Sequence, residues 1–253
     1  MHGFTTITVD LGAPPAAAFQ QLLAAVRFEA VAPGRHGLHL TRPGPRGVPI
    51  VRTTTRYRHS SQPFAPVHEA LIQRIHAAAP TCRSPFNHAL TELYEPQYRK
   101  MGYHSDQALD LDPESWIAVV SCYERDIASG APGLRQLMVK SKNTADRFTL
   151  PMAHGSVVLF SVATNARFSH KIVLPSPSPN APRWIGLTLR CSKTFLNWRD
   201  GVAQFADGTP LTLADETQRR TFFQMRGAEN RDSNFVYPPV PFTLSEGDLL
   251  PPI

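Results

Sequence analysis

Thiol chemistry has little material in this chain. Its three cysteines, Cys82, Cys122 and Cys191, lie far apart and no CxxC occurs. That excludes a zinc site built of thiolates and points to a reducing compartment. Long apolar runs are missing as well. None reaches the roughly 18 residues that a membrane span needs, so no membrane partner is expected. The opening MHGFTTITVDLG lacks the basic start of a secretory signal. The expected location is therefore intracellular, cytoplasmic or nuclear. Charged residues make up only 18% of the chain, and no dense Lys/Arg run marks an anion footprint. No internal repeat is visible.

What is present suffices for a folded core. The chain has 253 residues, 42% of them hydrophobic, which excludes a mostly disordered protein. The 24 prolines argue for turns and sheet edges and against a long helical bundle. The formal charge of +6 fits an anionic partner such as nucleic acid, or simply a basic soluble protein.

Two early helices are legible. Residues 14–26 place Phe19, Leu22, Leu23 and Val26 at helical spacing, and 66–79 repeat Val67, Leu71 and Ile75 after a starting proline. Between them, 33–47 (PGRHGLHLTRPGPRG) reads as a loop. From residue 86 short β-rich runs recur at 86–94, 116–123, 134–141, 147–150, 156–162, 167–174 and 184–192. Turn residues punctuate them, as in SGAPG at 129–133 and PSPSPNAP at 175–182. Such spacing predicts a sandwich or jelly roll with the early helices covering one sheet. Residues 215–226 read as a further helix, with Thr212 as cap and Gly227 as stop.

The chemistry begins at His104-Ser105-Asp106. Residues two apart on an extended chain point the same way. An imidazole and a carboxylate so placed can bind one metal, and a second histidine from a distant strand completes a facial triad with three positions open. His170, in the β-like run RFSHKIV, is the candidate. Downstream, Pro182-Arg183-Trp184-Ile185-Gly186-Leu187-Thr188-Leu189-Arg190 is a strand with two arginines, whose planar forks match a carboxylate. An iron triad and a basic strand on a double β layer specify a 2-oxoglutarate-dependent oxygenase.

Over residues 55–195 these pieces together resemble the AlkB family of Fe(II)/2-oxoglutarate dioxygenases. Residues 85–94 (PFNHALTELY) are similar to its strand ending in Asn-x-Tyr, and Tyr103–Asp106 to its HxD. Residues 117–121 (IAVVS) resemble its next core strand. Residues 150–159 (LPMAHGSVVL) are similar to its L-P-L-x-H-G-S-L-L strand, Phe168-Ser169-His170 to its distal metal histidine, and residues 181–190 to its R-x-N-L-T-F-R. The resemblance implies a mainly β, α+β fold. A double-stranded β-helix (jelly roll) core is flanked by N-terminal helices. Residues 1–195 would be the dioxygenase domain, with 1–60 an N-terminal helix and substrate lid and 61–195 the jelly-roll core. Residues 196–253 would be a C-terminal extension packed on it.

The resemblance further implies that His104, Asp106 and His170 bind Fe(II) as the catalytic centre. Tyr94, Arg183, Arg190 and Thr188 would contact 2-oxoglutarate, with Ser121 in the pocket wall. Tyr94 and Arg183 would meet the distal carboxylate and Arg190 the end near the metal. It also implies 2-oxoglutarate and dioxygen as co-substrates and an N-alkylated base of DNA or RNA as substrate. Three departures stand out. Glu92 replaces the family's Asn, and a carboxylate near a bound dicarboxylate is repulsive unless it is protonated or pairs with an arginine, so either Glu92 pairs with Arg183 or the co-substrate sits differently. Arg183 and Arg190 are seven apart, so only a bulge at Gly186 would put both on one face; without it Trp184 turns inward and Arg190 alone binds the acid. The strand's internal Asn is also replaced, in the Ile185-Gly186 region.

The other histidines read as structural: His154 in a turn, His88 in a strand, and His36, His39 and His59 in loops. Trp116, Trp184, Trp198 and the Phe222–Arg226 stripe read as packing. The arginines of 35–58 suit either phosphate contact or solubility. Two alternatives remain open: hydroxylation of a protein or small molecule, and a non-catalytic nucleic-acid-binding β-sandwich with a degenerate metal site.

Overall fold

The computed structural model describes residues 2–99, 101–126, 133–175 and 180–253. The chain runs β1 (Phe4–Thr8), α1 (Pro15–Ala24), β2 (Glu29–Ala32), β3 (Arg35–Thr41), β4 (Val48–Pro49), β5 (Gln62–Pro63), α2 (Pro66–Ala78), β6 (His88–Tyr94) and β7 (Trp116–Tyr123). It continues through β8 (Gln136–Ser141), β9 (Arg147–Pro151), β10 (Ser156–Ser161), α3 (Val162–Arg167), β11 (Phe168–Val173) and β12 (Trp184–Arg190). The C-terminal part holds β13 (Phe195–Arg199), β14 (Val202–Gln204), β15 (Thr212–Leu213), α4 (Glu216–Glu229) and β16 (Phe242–Thr243).

Two sheets face each other. The large one has the order β1-β10-β7-β12-β6-β3-β2, with β5 alongside β3; the small one is β11-β8-β9. Strand alternation divides the large sheet's side chains between two cores. Leu38, Leu40, Ala89, Leu93, Ala118, Val120, Ile185, Leu187 and Leu189 point to one face and pack under Phe19 and Leu22 of α1 and Leu71, Ile72 and Ile75 of α2. Each buried leucine, isoleucine, valine or phenylalanine among them contributes roughly 1.5–3 kcal/mol by leaving water. The opposite face presents Tyr94, Ile117, Val119, Tyr123, Val158, Phe160 and Trp184 to Leu137, Val139, Phe168 and Ile172 of the small sheet. This is the jelly-roll core expected, with the early helices on one sheet. Of the turn segments 129–133 and 175–182, residues 129–132 and 176–179 lie outside the described residues.

Two expectations are corrected here. Residues 33–47 are not one loop, because β3 pairs with β6 from Arg35↔Tyr94 to Thr41↔His88. Leu38 and Leu40 anchor it in the helix-side core, while Arg35 and His39 occupy alternate positions on the inner face. The helix near 215 is capped by Asp215, not Thr212. The Asp215 carboxylate accepts from the Gln218 N–H at 2.8 Å, and Gln218 accepts from the Asp215 N–H at 3.0 Å. It runs through Gly227 to Glu229. Cys82, Cys122 and Cys191 are free and buried. Among the described residues no helix is long and apolar enough to cross a membrane.

Candidate metal centre and its cavity

His170 is carried by β11, and His104 forms an isolated antiparallel bridge to it. The His104 N–H donates to the His170 carbonyl at 2.9 Å and the His170 N–H returns the bond at 2.7 Å. This extends the small sheet by one residue and turns both imidazoles the same way. Asp106 follows two residues on. Donor atoms of His104, Asp106 and His170 lie within 4.8 Å of one another, with Asp106 Oδ1 3.8 Å from His170 Nε2.

The surroundings select the protonation states that a cation requires. The His104 Nδ1–H donates to the Gly102 carbonyl at 3.0 Å, which leaves the lone pair on Nε2. Burial, reinforced by His170 and Arg226, lowers the His104 pKa to about 3. Burial also lowers that of His170, against the pull of Asp106. For Asp106 burial works the other way, but Arg190 and the two imidazoles override it and bring the carboxyl down to about 2. Arg190 Nε donates to Asp106 Oδ2 at 3.1 Å, so Oδ1 is left toward the imidazoles. Two neutral imidazoles and one ionised carboxylate on one side of a cavity fit a divalent iron with open positions.

The loop carrying His104 and Asp106 is held by residues the sequence did not single out. Asn165 of α3 accepts from the Asp106 N–H and donates to the Asp106 carbonyl, both at 2.7 Å. From α4, Asn230 accepts from the Ser105 N–H at 3.0 Å and Arg226 donates to the Ser105 carbonyl. Glu229 accepts from the Ala108 N–H at 2.8 Å and from Arg226 at 2.5 Å. The C-terminal segment thus contributes directly to the site. No local sequence signal marks the contacts to this loop, which join residues more than 50 positions apart.

The triad lines a cavity of about 320 Å³, together with Arg35, Glu92, Thr188, Arg190, Phe223 and Arg226. Thr188 and Arg190 line the cavity, Arg190 in its ion pair with Asp106. Tyr94 is fully buried, and its hydroxyl donates to Glu92 Oε2 at 2.9 Å. Arg183 is not brought to the cavity. β12 pairs with β6 and β7 in unbroken register from Trp184 onward, so there is no bulge at Gly186. Arg183 therefore falls on the opposite parity from Arg190. It pairs with Glu124 at 2.6 Å and lies over the Phe19 ring. Trp184 takes the inward position. A Cβ at Gly186 would lie 2.1 Å from its ring, so only glycine leaves room for the indole. Ser121 is buried beneath it and accepts the indole N–H at 2.6 Å, outside the cavity wall. Glu92 pairs with Arg35 of β3, not with Arg183.

His154 is a turn residue whose Nδ1 accepts the Tyr123 N–H at 3.1 Å. His39 and His88 are both buried on strands and share a 2.9 Å hydrogen bond; His39 is thus not in a loop. Trp184 is almost fully buried, and Trp116 and Trp198 are partly buried against apolar clusters. The Phe222–Arg226 stripe divides. Phe222 is buried in a small core, whereas Phe223 is 46% exposed at the cavity.

No curated protein matches the chain. Among solved structures, a Pseudomonas putida prolyl-4-hydroxylase is similar at 15% identity and a TM-score of 0.43, over 76% of this chain and 94% of that one. The family model of the 2OG-Fe(II) oxygenase superfamily matches residues 18–190, well over half of the chain. The chain therefore belongs to that superfamily, as a 2-oxoglutarate-dependent dioxygenase with Fe(II) as its metal and 2-oxoglutarate and dioxygen as co-substrates.

Proposed function

We propose that His104, Asp106 and His170 hold the iron and that the enzyme, of AlkB type, removes an N-alkyl group from a nucleic-acid base by oxidation. The observation that carries the iron assignment is the meeting of these three side chains at one cavity, in the protonation states a cation needs. Iron bound there with 2-oxoglutarate and dioxygen supplies oxidation of a substrate C–H bond, coupled to release of succinate and carbon dioxide. On an N-methyl group the hydroxylated product sheds formaldehyde. The chain's own part is positional. Arg190 fixes Asp106, Asn165 fixes its backbone, and α4 fixes Ser105 between the ligands. The apolar wall from Val119, Leu137 and Ile172 limits access of water.

The net charge of +6 supports the nucleic-acid substrate, as does Phe223 at the cavity, an exposed aromatic face suited to an unstacked base. A free small molecule or a protein side chain is the second reading, and the arginines of 35–58 favour it. Arg35, Arg42 and Arg52 are ion-paired with Glu92, Glu69 and Asp110, which leaves Arg46, exposed and stacked on Phe195, with Arg56 and Arg58 for phosphate.

Succinate formation with methylated oligonucleotides, unmodified oligonucleotides and peptides separates the two. Turnover specific to methylated strands, weakening with salt, is expected. Salt-insensitive turnover of a peptide or free metabolite would overturn the base reading. His104→Ala and Asp106→Ala are expected to abolish both iron uptake and succinate formation. Failure of the unmodified protein to take up Fe(II) without oxygen would refute the metal assignment.

A further inference from the structure

We infer that Arg35 receives the second carboxylate of 2-oxoglutarate and that the Glu92 side chain occupies that place until the co-substrate arrives. The inference rests on the iron centre proposed above and concerns how its co-substrate is held.

Among the described residues, the cations lining the cavity are Arg35, Arg190 and Arg226. Each already has a carboxylate partner. Arg190 is committed to Asp106, and Arg226 to Glu229 and the Ser105 carbonyl. Both hold the metal-ligand loop, so neither can turn to a ligand without loosening it. Arg35 differs, since its partner Glu92 belongs to no part of that framework. The strand in which the second arginine was expected offers no cation on its inner face above Arg190. Trp184 and Gly186 stand there, and Arg183 faces Glu124.

The environment of Glu92 is what a bound carboxylate would require. Strand pairing sets Arg35 opposite Tyr94 and Gly37 opposite Glu92. Arg35 Nε donates to Glu92 Oε1 at 2.6 Å, a second guanidinium nitrogen reaches the same oxygen, and the Tyr94 hydroxyl donates to Oε2 at 2.9 Å. An arginine fork and a phenol are thus arranged around one carboxylate at the wall of the cavity. A dicarboxylate chelating iron through its 2-oxo acid end must place a second negative charge in the same cavity. With Glu92 in possession, that charge meets repulsion and no free cation. Rotation of Arg35 from Glu92 to the incoming carboxylate removes the conflict, and Tyr94 retains Glu92. Glu92 is then an internal competitor that weakens 2-oxoglutarate binding, while Arg35 strengthens it.

The test uses the full-length protein loaded anaerobically with Fe(II), titrated with 2-oxoglutarate and separately with pyruvate, which has the same chelating end and no second carboxylate. The absorbance of the iron–oxoacid chelate is followed. Glu92→Gln is expected to tighten 2-oxoglutarate at least tenfold, and Arg35→Gln to weaken it at least tenfold, both leaving pyruvate affinity within about twofold. Arg35→Lys should recover part of the loss. Iron stoichiometry and the thermal midpoint of each variant show that it is folded and loaded. Unchanged or weaker 2-oxoglutarate binding in a loaded Glu92→Gln variant overturns the inference, as does an equal effect on both acids. If unmodified protein binds neither acid in an iron-dependent way, the metal assignment falls and this inference with it.

Discussion

A single parity decides the roles of the two arginines near β12. Side chains seven positions apart on a regular strand face opposite ways, and the unbroken pairing of β12 sends Arg183 outward and Arg190 inward. Arg183→Ala is therefore expected to leave the 2-oxoglutarate requirement within about twofold. It should cost no more than about 1 kcal/mol, the value of an exposed ion pair, measured by urea unfolding. Arg190→Gln should reduce iron affinity and turnover together, since it frees Asp106 Oδ2 within a buried site. A large 2-oxoglutarate defect in Arg183→Ala would show that the surface pair opens in solution. The motif spacing made both arginines visible. It did not reveal that the extra residue would be absorbed by turning Trp184 inward, because that depends on Gly186 making room for an indole. Glu92 was recognisable as a departure, yet its partner lies 57 positions away on a strand whose inner face is polar.

At the scale of elements, β7 and β10 were legible because both are apolar on both faces, one under the helices and one toward the small sheet. β3 was not, since Arg35 and His39 alternate with Leu38 and Leu40 inside a Gly- and Arg-rich stretch. His104, Asp106 and His170, proposed to hold the iron, were picked out by spacing and resemblance and do converge, whereas the elements that hold them in place were not visible. The part played by α4 exists only in contacts such as Asn230 with Ser105 and Glu229 with Ala108. Asn230→Ala should remove the acceptor of a buried backbone N–H, costing about 1–3 kcal/mol of stability. It should also lower metal affinity by about tenfold or more, as loss of an outer partner does at metal sites. Competition with a chromogenic chelator measures the second effect. Lost stability with unchanged metal affinity would reduce α4 to packing.

For the whole molecule, the buried histidines set the response to acid. Burial lowers His39 to about 3, His68 to about 4 and His104 to about 3, and depresses His88, His154 and His170 as well. A folded-state histidine with a depressed pKa stays neutral while its unfolded counterpart, near 6.5, takes a proton. The unfolded chain then binds more protons, so stability rises with pH through this window. The contribution is complete above about pH 6.5 and is lost as pH falls toward 3–4. Each fully depressed group adds about 1.4 kcal/mol per pH unit. His39, His68 and His104 alone give about 4 kcal/mol per unit near pH 5, a large share of the roughly 5–15 kcal/mol a domain possesses. Asp248 opposes them: burial raises it to about 6, so its contribution is present at low pH and lost as pH rises through that value. It offsets about one histidine. Asp106, lowered to about 2, acts in the histidines' direction only below about pH 4. The metal-free protein should therefore lose several kcal/mol between pH 7 and 5, read from urea midpoints by tryptophan fluorescence. Fe(II) should restore part of that at pH 6, because binding needs the imidazoles neutral and draws them away from the proton. A midpoint flat from pH 7 to 5 would mean that these histidines gain solvent or partners in solution.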